Sequence, residues 1–88
     1  MQNRMMITGA GSGLGREMAL RWAREGWRLA LADVNEAGLA QTLKLVREAG
    51  GDGFTRRCDV RDYSQLTALA QACEEQFGGI DVIVNNAG

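Results

Sequence analysis

The sequence contains no histidine and no proline among its 88 residues. Without histidine, the chain cannot supply an imidazole metal ligand, a Ser-His-Asp triad or a histidine general base. Its two cysteines, Cys58 and Cys73, are too few for a disulfide scaffold and lack metal-ligand spacing. No apolar run approaches the ~20 residues that a membrane-spanning helix needs. The basic and acidic residues are interspersed, so we expect no metal, no membrane and no nucleic-acid partner.

The composition is that of an ordinary globular protein, with 45% hydrophobic and 24% charged residues. A chain of 88 residues forms one domain at most. Its first residues run directly into a strand-like segment and leave no room for a signal peptide, which predicts a cytoplasmic location.

Short apolar runs alternate with segments of helical spacing, in units of about 25 residues. This order, β-α-β-α-β-α-β, predicts an α/β fold: a parallel sheet with helices on both faces and right-handed crossovers. Glycines close each helical segment, and Asp62 with Gln65 resembles a capping box. The predicted strands are Met5–Ile7, Leu29–Ala32, Phe54–Cys58 and Val82–Val84.

The first, second and fourth strands are continuously apolar, which is typical of strands buried on both faces of a parallel sheet. The third contains Thr55, Arg56 and Arg57, and is therefore expected at an edge. Together these features predict the half-Rossmann strand order 3-2-1-4.

The segment from Thr8 to Gly15, TGAGSGLG, lies where the first strand turns into a helix. Neither G-x-G-x-x-G nor the Walker pattern fits it; Gly9-x-x-x-Gly13-x-Gly15 does. Such a loop allows a tight turn and presents N–H groups at a helix N-terminus, so we expect a diphosphate there. The alternative is a tight turn without a ligand.

Asp33 follows Gly15 by 18 positions and comes directly after the second apolar run. A carboxylate there can accept hydrogen bonds from both hydroxyls of an adenosine ribose and would repel a 2′-phosphate. Alternatively, Asp33 caps the helix that begins near Glu36, although Asn35 could also do so.

Asp59-Val60 and Asn85-Asn86-Ala87-Gly88 follow the third and fourth strands. The carboxyl ends of strands are where open α/β sheets bind ligands. Taken alone, Asp59 could equally be a loop cap and Asn85 a turn residue.

With these features together, the sequence resembles the short-chain dehydrogenases/reductases over all 88 residues. The resemblance implies an NAD(P)-dependent oxidoreductase that moves hydride between nicotinamide and an alcohol or carbonyl. It implies NAD as the preferred cofactor, from Asp33 and the non-basic Ser12, with NADP possible, and a homo-oligomer (dimer or tetramer) in the full-length form. Asn85 would brace the sheet, and the implied cofactor-binding residues are Gly9, Ser12, Gly13, Leu14, Gly15, Asp33, Val34, Asp59, Val60, Asn86, Ala87 and Gly88.

The sequence departs from the family in its catalytic residues. The family's chemistry rests on a serine and a Tyr-x-x-x-Lys pair. Here the one tyrosine, Tyr63, is followed four positions later by Thr67, and the one lysine, Lys44, precedes it. We therefore assign no catalytic residue, and expect residues 1–88 to be the N-terminal cofactor-binding part of a longer Rossmann domain. Two alternatives stay open: a non-catalytic NAD-binding module, and a methyltransferase that uses S-adenosylmethionine.

Overall fold

A computed structural model describes residues 3–86. Strands and helices alternate in the predicted order, and only the strand bounds differ, by up to two residues. The third strand, for example, begins at Asp52 rather than Phe54. The elements are β1 (Arg4–Thr8), α1 (Gly13–Ala23), β2 (Arg28–Asp33), α2 (Glu36–Glu48), β3 (Asp52–Arg57), α3 (Tyr63–Phe77) and β4 (Val82–Val84).

The four strands form one parallel sheet in the order β3-β2-β1-β4, which confirms the predicted topology. β1 and β2 are central and buried, and the polar β3 lies at one edge, as expected. The expectation that β4 is buried on both faces is wrong. β4 is the other edge of the sheet and has only three residues, and 62% of the Ile83 surface is exposed.

Two apolar layers cover opposite faces of the sheet because neighbouring strand residues point to opposite sides. Met5 and Ile7 of β1 pack with residues of α1 and α2, whereas Met6 packs with Leu69 and Cys73 of α3. Both cysteines are free and buried. No helix within residues 3–86 has the length and hydropathy of a membrane span.

The helix ends follow local sequence signals. Asn35 accepts a hydrogen bond from the Gly38 N–H and caps α2, while Asp62 accepts from the Ser64 N–H and caps α3. α3 ends at Gly78, which has a left-handed φ of 78°. The predicted capping box is altered: the side-chain Oε1 of Gln65 accepts from the Asp59 N–H rather than from the N–H of Asp62.

At the amino ends of the strands, an ion pair joins the beginning of the described chain to its last strand. The backbone N, Nε and Nη2 of Arg4 all donate to the Asp81 carboxylate at 2.9–3.0 Å. The Asp81 N–H donates to the Arg4 carbonyl oxygen at 3.0 Å. These contacts hold β4 against β1 at the amino ends of the strands, which is the end of the sheet opposite the glycine-rich loop.

Candidate functional site

The loop between β1 and α1 depends on glycine at three positions. Gly9 and Gly13 have φ values of 66° and 55°, in the left-handed region that other residues rarely adopt. At Gly15 the reason is space, because a Cβ there would overlap the carbonyl of Gly9. The loop thus folds back on the first turn of α1 with no room for side chains on its inner side.

The N-terminus of α1 differs from those of the other two helices. Ser12 is its N-cap, but the Ser12 side chain makes no capping hydrogen bond, and the first turn contains no acidic residue. Asn35 and Asp62, by contrast, satisfy N–H groups of α2 and α3 with their own oxygens. The first-turn N–H groups of a helix carry partial positive charge, so this N-terminus is suited to an anion.

Asp33 ends β2 beside this loop. Its Oδ2 accepts from the Gly11 N–H at 2.8 Å, and its Oδ1 accepts from the Asn35 N–H at 3.2 Å. Asn35 caps α2, so the alternative role of Asp33 as the cap of this helix is excluded. The carboxylate is partly exposed, and Val34 next to it is 52% exposed.

The end of β4 lies against the same loop. The Asn86 N–H donates to Thr8 Oγ1 at 3.0 Å, and Asn86 Nδ2 donates to the Gly9 carbonyl oxygen at 3.3 Å. Asn85 Oδ1 lies 3.2 Å from Thr8 Oγ1, which fits the expected bracing role of Asn85. Ala87 and Gly88 lie outside the described residues.

Asp59 and Val60 follow β3 at the same end of the sheet. The preceding Cys58 N–H donates to the Asp33 carbonyl oxygen at 3.0 Å, so this segment lies alongside the end of β2. The Asp59 carboxylate accepts from the backbone N, Nε and Nη2 of Arg61 at 3.0–3.1 Å. These hydrogen bonds from Arg61 lower the pKa of Asp59 to about 2.

Val60, the next residue, lines an apolar groove of about 310 Å³. The other apolar residues of this groove are Met6, Leu66, Ala70 and Ile83.

Three residues around the loop escaped the sequence analysis. Arg16 donates to the Gly11 and Gly38 carbonyl oxygens and to Thr42 Oγ1. Gly38 packs so closely that a Cβ would overlap the Gly11 carbonyl. The one available signal was Thr42, a hydroxyl three residues after Leu39 and four before Val46, on the buried face of α2.

The fold defines a class: a parallel α/β sheet with a glycine-rich loop and polar side chains at the carboxyl ends of its strands, typical of dinucleotide-binding folds. The family model described as short chain dehydrogenase matches residues 3–88. The chain belongs to this family.

Individual relatives agree with that assignment. A 7α-hydroxysteroid dehydrogenase of Escherichia coli (strain K12) is 36% identical over 83 residues, which are 94% of this chain and 32% of that protein. An NADH-dependent reductase solved in complex with NAD has a TM-score of 0.90 and 40% identity, covering 99% of this chain and 36% of the other. A variant of actinorhodin polyketide ketoreductase solved with NADPH has a TM-score of 0.94 and 45% identity, covering 99% and 33%. The chain thus spans about a third of the length of these relatives.

Proposed function

We propose that residues 1–88 form the N-terminal cofactor-binding part of an NAD-dependent oxidoreductase. The observation that carries this proposal is the pairing of Asp33 with the glycine-rich loop. The 2.8 Å hydrogen bond from the Gly11 N–H to Asp33 Oδ2 puts a carboxylate next to the N-terminus of α1, which has no side-chain cap. A ribose acceptor beside a diphosphate site is the arrangement that the adenosine half of NAD requires.

The geometry of the glycine-rich loop supports the expected contacts with the diphosphate. Gly9, Gly13 and Gly15 shape the loop, so that Ser12 and Leu14 can meet the diphosphate through backbone N–H groups. Leu14 is 65% exposed, as a residue facing a ligand would be.

The other contacts come from the strands that follow β1. Asp33 would accept from the ribose hydroxyls, with Val34 beside it. Asp59 would meet the adenine amino group and Val60 the neighbouring backbone site. Asn86, with Ala87 and Gly88 after it, would line the ribose and nicotinamide side.

We also propose that NAD is preferred over NADP. The 2′-phosphate of NADP would face the Asp33 carboxylate, and two like charges about 4 Å apart repel by about 1–4 kcal/mol, depending on solvent exposure. The loop position before Gly13 is Ser12, which offers no cation to offset that repulsion. One similar structure contains NAD and another contains NADPH, so the comparisons do not decide between the two cofactors. The proposed preference for NAD therefore depends on Asp33 and Ser12.

When bound, the nicotinamide would accept hydride from an alcohol or donate it to a carbonyl. The serine and the Tyr-x-x-x-Lys pair of the family have no counterpart in residues 1–88, so we assign binding to this chain and catalysis to a further segment.

We also propose that the full-length form is a dimer or tetramer. A cytoplasmic location stays a prediction. Membership of the dehydrogenase family favours neither a non-catalytic sensor nor a methyltransferase.

Isothermal titration of the protein with NAD, NADP and S-adenosylmethionine tests the proposal. We expect NAD to bind most tightly and S-adenosylmethionine not to bind. Asp33→Ala should weaken NAD binding by about 1.5–3 kcal/mol, the scale of a hydrogen bond to a charged group. Asp52→Ala is the matched control, because Asp52 is an exposed carboxylate at the other end of the sheet. Saturable binding of S-adenosylmethionine without NAD binding, or an unchanged NAD affinity in Asp33→Ala, would contradict the proposal.

A further inference from the structure

Arg16 joins the three parts of the site that meet at the glycine-rich loop. It belongs to α1, and its guanidinium reaches across to α2. Nε donates to Thr42 Oγ1 at 2.9 Å, while Nη2 donates to the carbonyl oxygens of Gly11 at 2.7 Å and Gly38 at 3.1 Å. One side chain therefore ties α1, the loop and the first turns of α2 together.

The acceptor Thr42 is itself held in place. Thr42 is fully buried, and its hydroxyl lies 2.8 Å from the Ala10 carbonyl oxygen, to which it donates. A buried hydroxyl without hydrogen-bond partners would be destabilising. The Thr42 hydroxyl has both a donor and an acceptor partner, because it accepts from Arg16 and donates to Ala10. The guanidinium is consequently fixed from the α2 side as well as from the loop side.

The contact with Gly11 controls the direction of a peptide group. A trans peptide is planar, and its C=O and N–H point in opposite directions. Arg16 holds the Gly11 carbonyl toward α2, which turns the N–H of Ser12 away from α2. Within residues 3–86, nothing accepts a hydrogen bond from that Ser12 N–H. The Gly11 N–H, on the other side of the same residue, donates to Asp33.

We infer that Arg16 is a positioning residue, which couples the ribose-binding carboxylate to the diphosphate-binding loop by fixing the Gly11–Ser12 peptide. This inference rests on the proposed function. Arg16 itself would not touch the cofactor. It aims the Ser12 N–H at a phosphate oxygen, while Asp33 holds the other side of Gly11.

Arginine is required here rather than a positive charge alone. A guanidinium presents several N–H donors in a rigid plane, whereas a lysine ammonium is a compact charge on a flexible stem. The planar fork matches three acceptors, two on α2 and one in the loop. Arg16→Lys therefore retains the charge but loses the geometry, which separates positioning from simple attraction of the diphosphate.

The test compares adenosine with ADP as probes, because only ADP carries the diphosphate. We expect Arg16→Lys to weaken ADP binding by about tenfold or more, the scale of a lost charge-assisted hydrogen bond, with less than about threefold change for adenosine. Arg24→Lys is the control, since Arg24 is exposed at the far end of α1. In ¹⁵N-labelled protein, ADP should shift the Ser12 amide resonance in the parent and in Arg24→Lys, and much less in Arg16→Lys.

Thr42→Val provides a second variant if Arg16→Lys does not fold. It removes the hydroxyl that accepts from Nε, and ADP binding should again fall more than adenosine binding. Equal losses for both ligands, or unchanged ADP affinity in a folded variant, would overturn the inference. Failure of the parent protein to bind either ADP or NAD would instead overturn the proposed function and this inference with it.

Discussion

Asp33 Oδ2 and the Gly11 backbone nitrogen lie 2.8 Å apart, so the end of β2 and the loop after β1 share a hydrogen bond. The space between them is filled, because a Cβ on Gly11 would come within 2.7 Å of the same carboxylate oxygen. The carboxylate is thereby oriented by the loop that it helps to hold. A substitution that removes the charge of Asp33 but keeps its acceptor oxygen can therefore separate the effect of the charge from the effect of the hydrogen bond.

Asp33→Asn should narrow the discrimination between NAD and NADP. The amide keeps an oxygen that can accept from Gly11 but removes the negative charge facing a 2′-phosphate. A unit charge at about 4 Å is worth at least ~1 kcal/mol, so the ratio of the two dissociation constants should change by about fivefold or more. Competition titrations of both cofactors measure that ratio, and Asp52→Asn should leave it unaltered.

Gly15→Ala should destabilise the protein more than Gly13→Ala. The added Cβ at Gly15 overlaps backbone atoms, and overpacking of this kind costs about 3 kcal/mol or more. At Gly13 nothing lies within 4 Å of the added Cβ, so the cost there is the left-handed φ, about 1–2 kcal/mol. Urea denaturation followed by circular dichroism gives both free energies of unfolding. Equal losses would mean that the loop does not fold back closely on α1.

The Asp59 carboxylate should stay ionised well into acid. Hydrogen bonds from Arg61 lower its pKa from the ordinary 3.8 to about 2. A carboxyl with a lowered pKa stabilises the folded state above its unfolded pKa, and this stabilisation is lost as the pH falls toward 2. A ¹³C NMR titration of the carboxyl resonances should give a midpoint near 2 for Asp59, and Arg61→Ala should raise it toward 3.8. A midpoint unchanged by Arg61→Ala would exclude the ion pair as the cause.

The exposed edge formed by β4 should promote self-association. Val82 and Ile83 are 38% and 62% exposed on a strand whose outer side has no partner among residues 3–86. Unpaired apolar edge strands are templates for another chain. Ile83→Lys should reduce concentration-dependent association in sedimentation velocity. Tyr63→Gln, which removes an exposed aromatic side chain away from β4, should not reduce it. A parent chain that stays monomeric at all concentrations would refute this expectation.

The sequence was sufficient for the topology because the relevant signals are local. Runs such as Leu29–Ala32 mark buried strands, the arginines of β3 mark an edge, and Asn35 marks a helix start. The glycine loop and Asp33 were identifiable for the same reason. The predicted strand order correctly places β4 at an edge, but its apolar composition wrongly predicts burial on both faces, because composition does not reveal that Ile83 is left uncovered.

The support of the loop could not be predicted in this way. Arg16 and Thr42 are 26 residues apart, and their contact depends on how α1 and α2 pack. Asp59 has a related difficulty, because its ion pair with Arg61 depends on side-chain orientation rather than spacing. Side-chain hydrogen bonds between elements follow from tertiary packing, which local patterns do not encode.

The contact between Arg4 and Asp81 spans 77 positions of the chain, and it also has a consequence for the order of folding. β1, β2 and β3 are joined by single crossovers, whereas β4 can pair with β1 only after a loop containing every other element has closed. Closing a longer loop costs more chain entropy and slows the contacts that depend on it. We therefore expect the docking of β4, which brings Asn86 to the glycine loop, to be a late step in folding and an early one to reverse. Under the proposed function, the contacts that Asn86 would make with the cofactor would then form after those of Asp33.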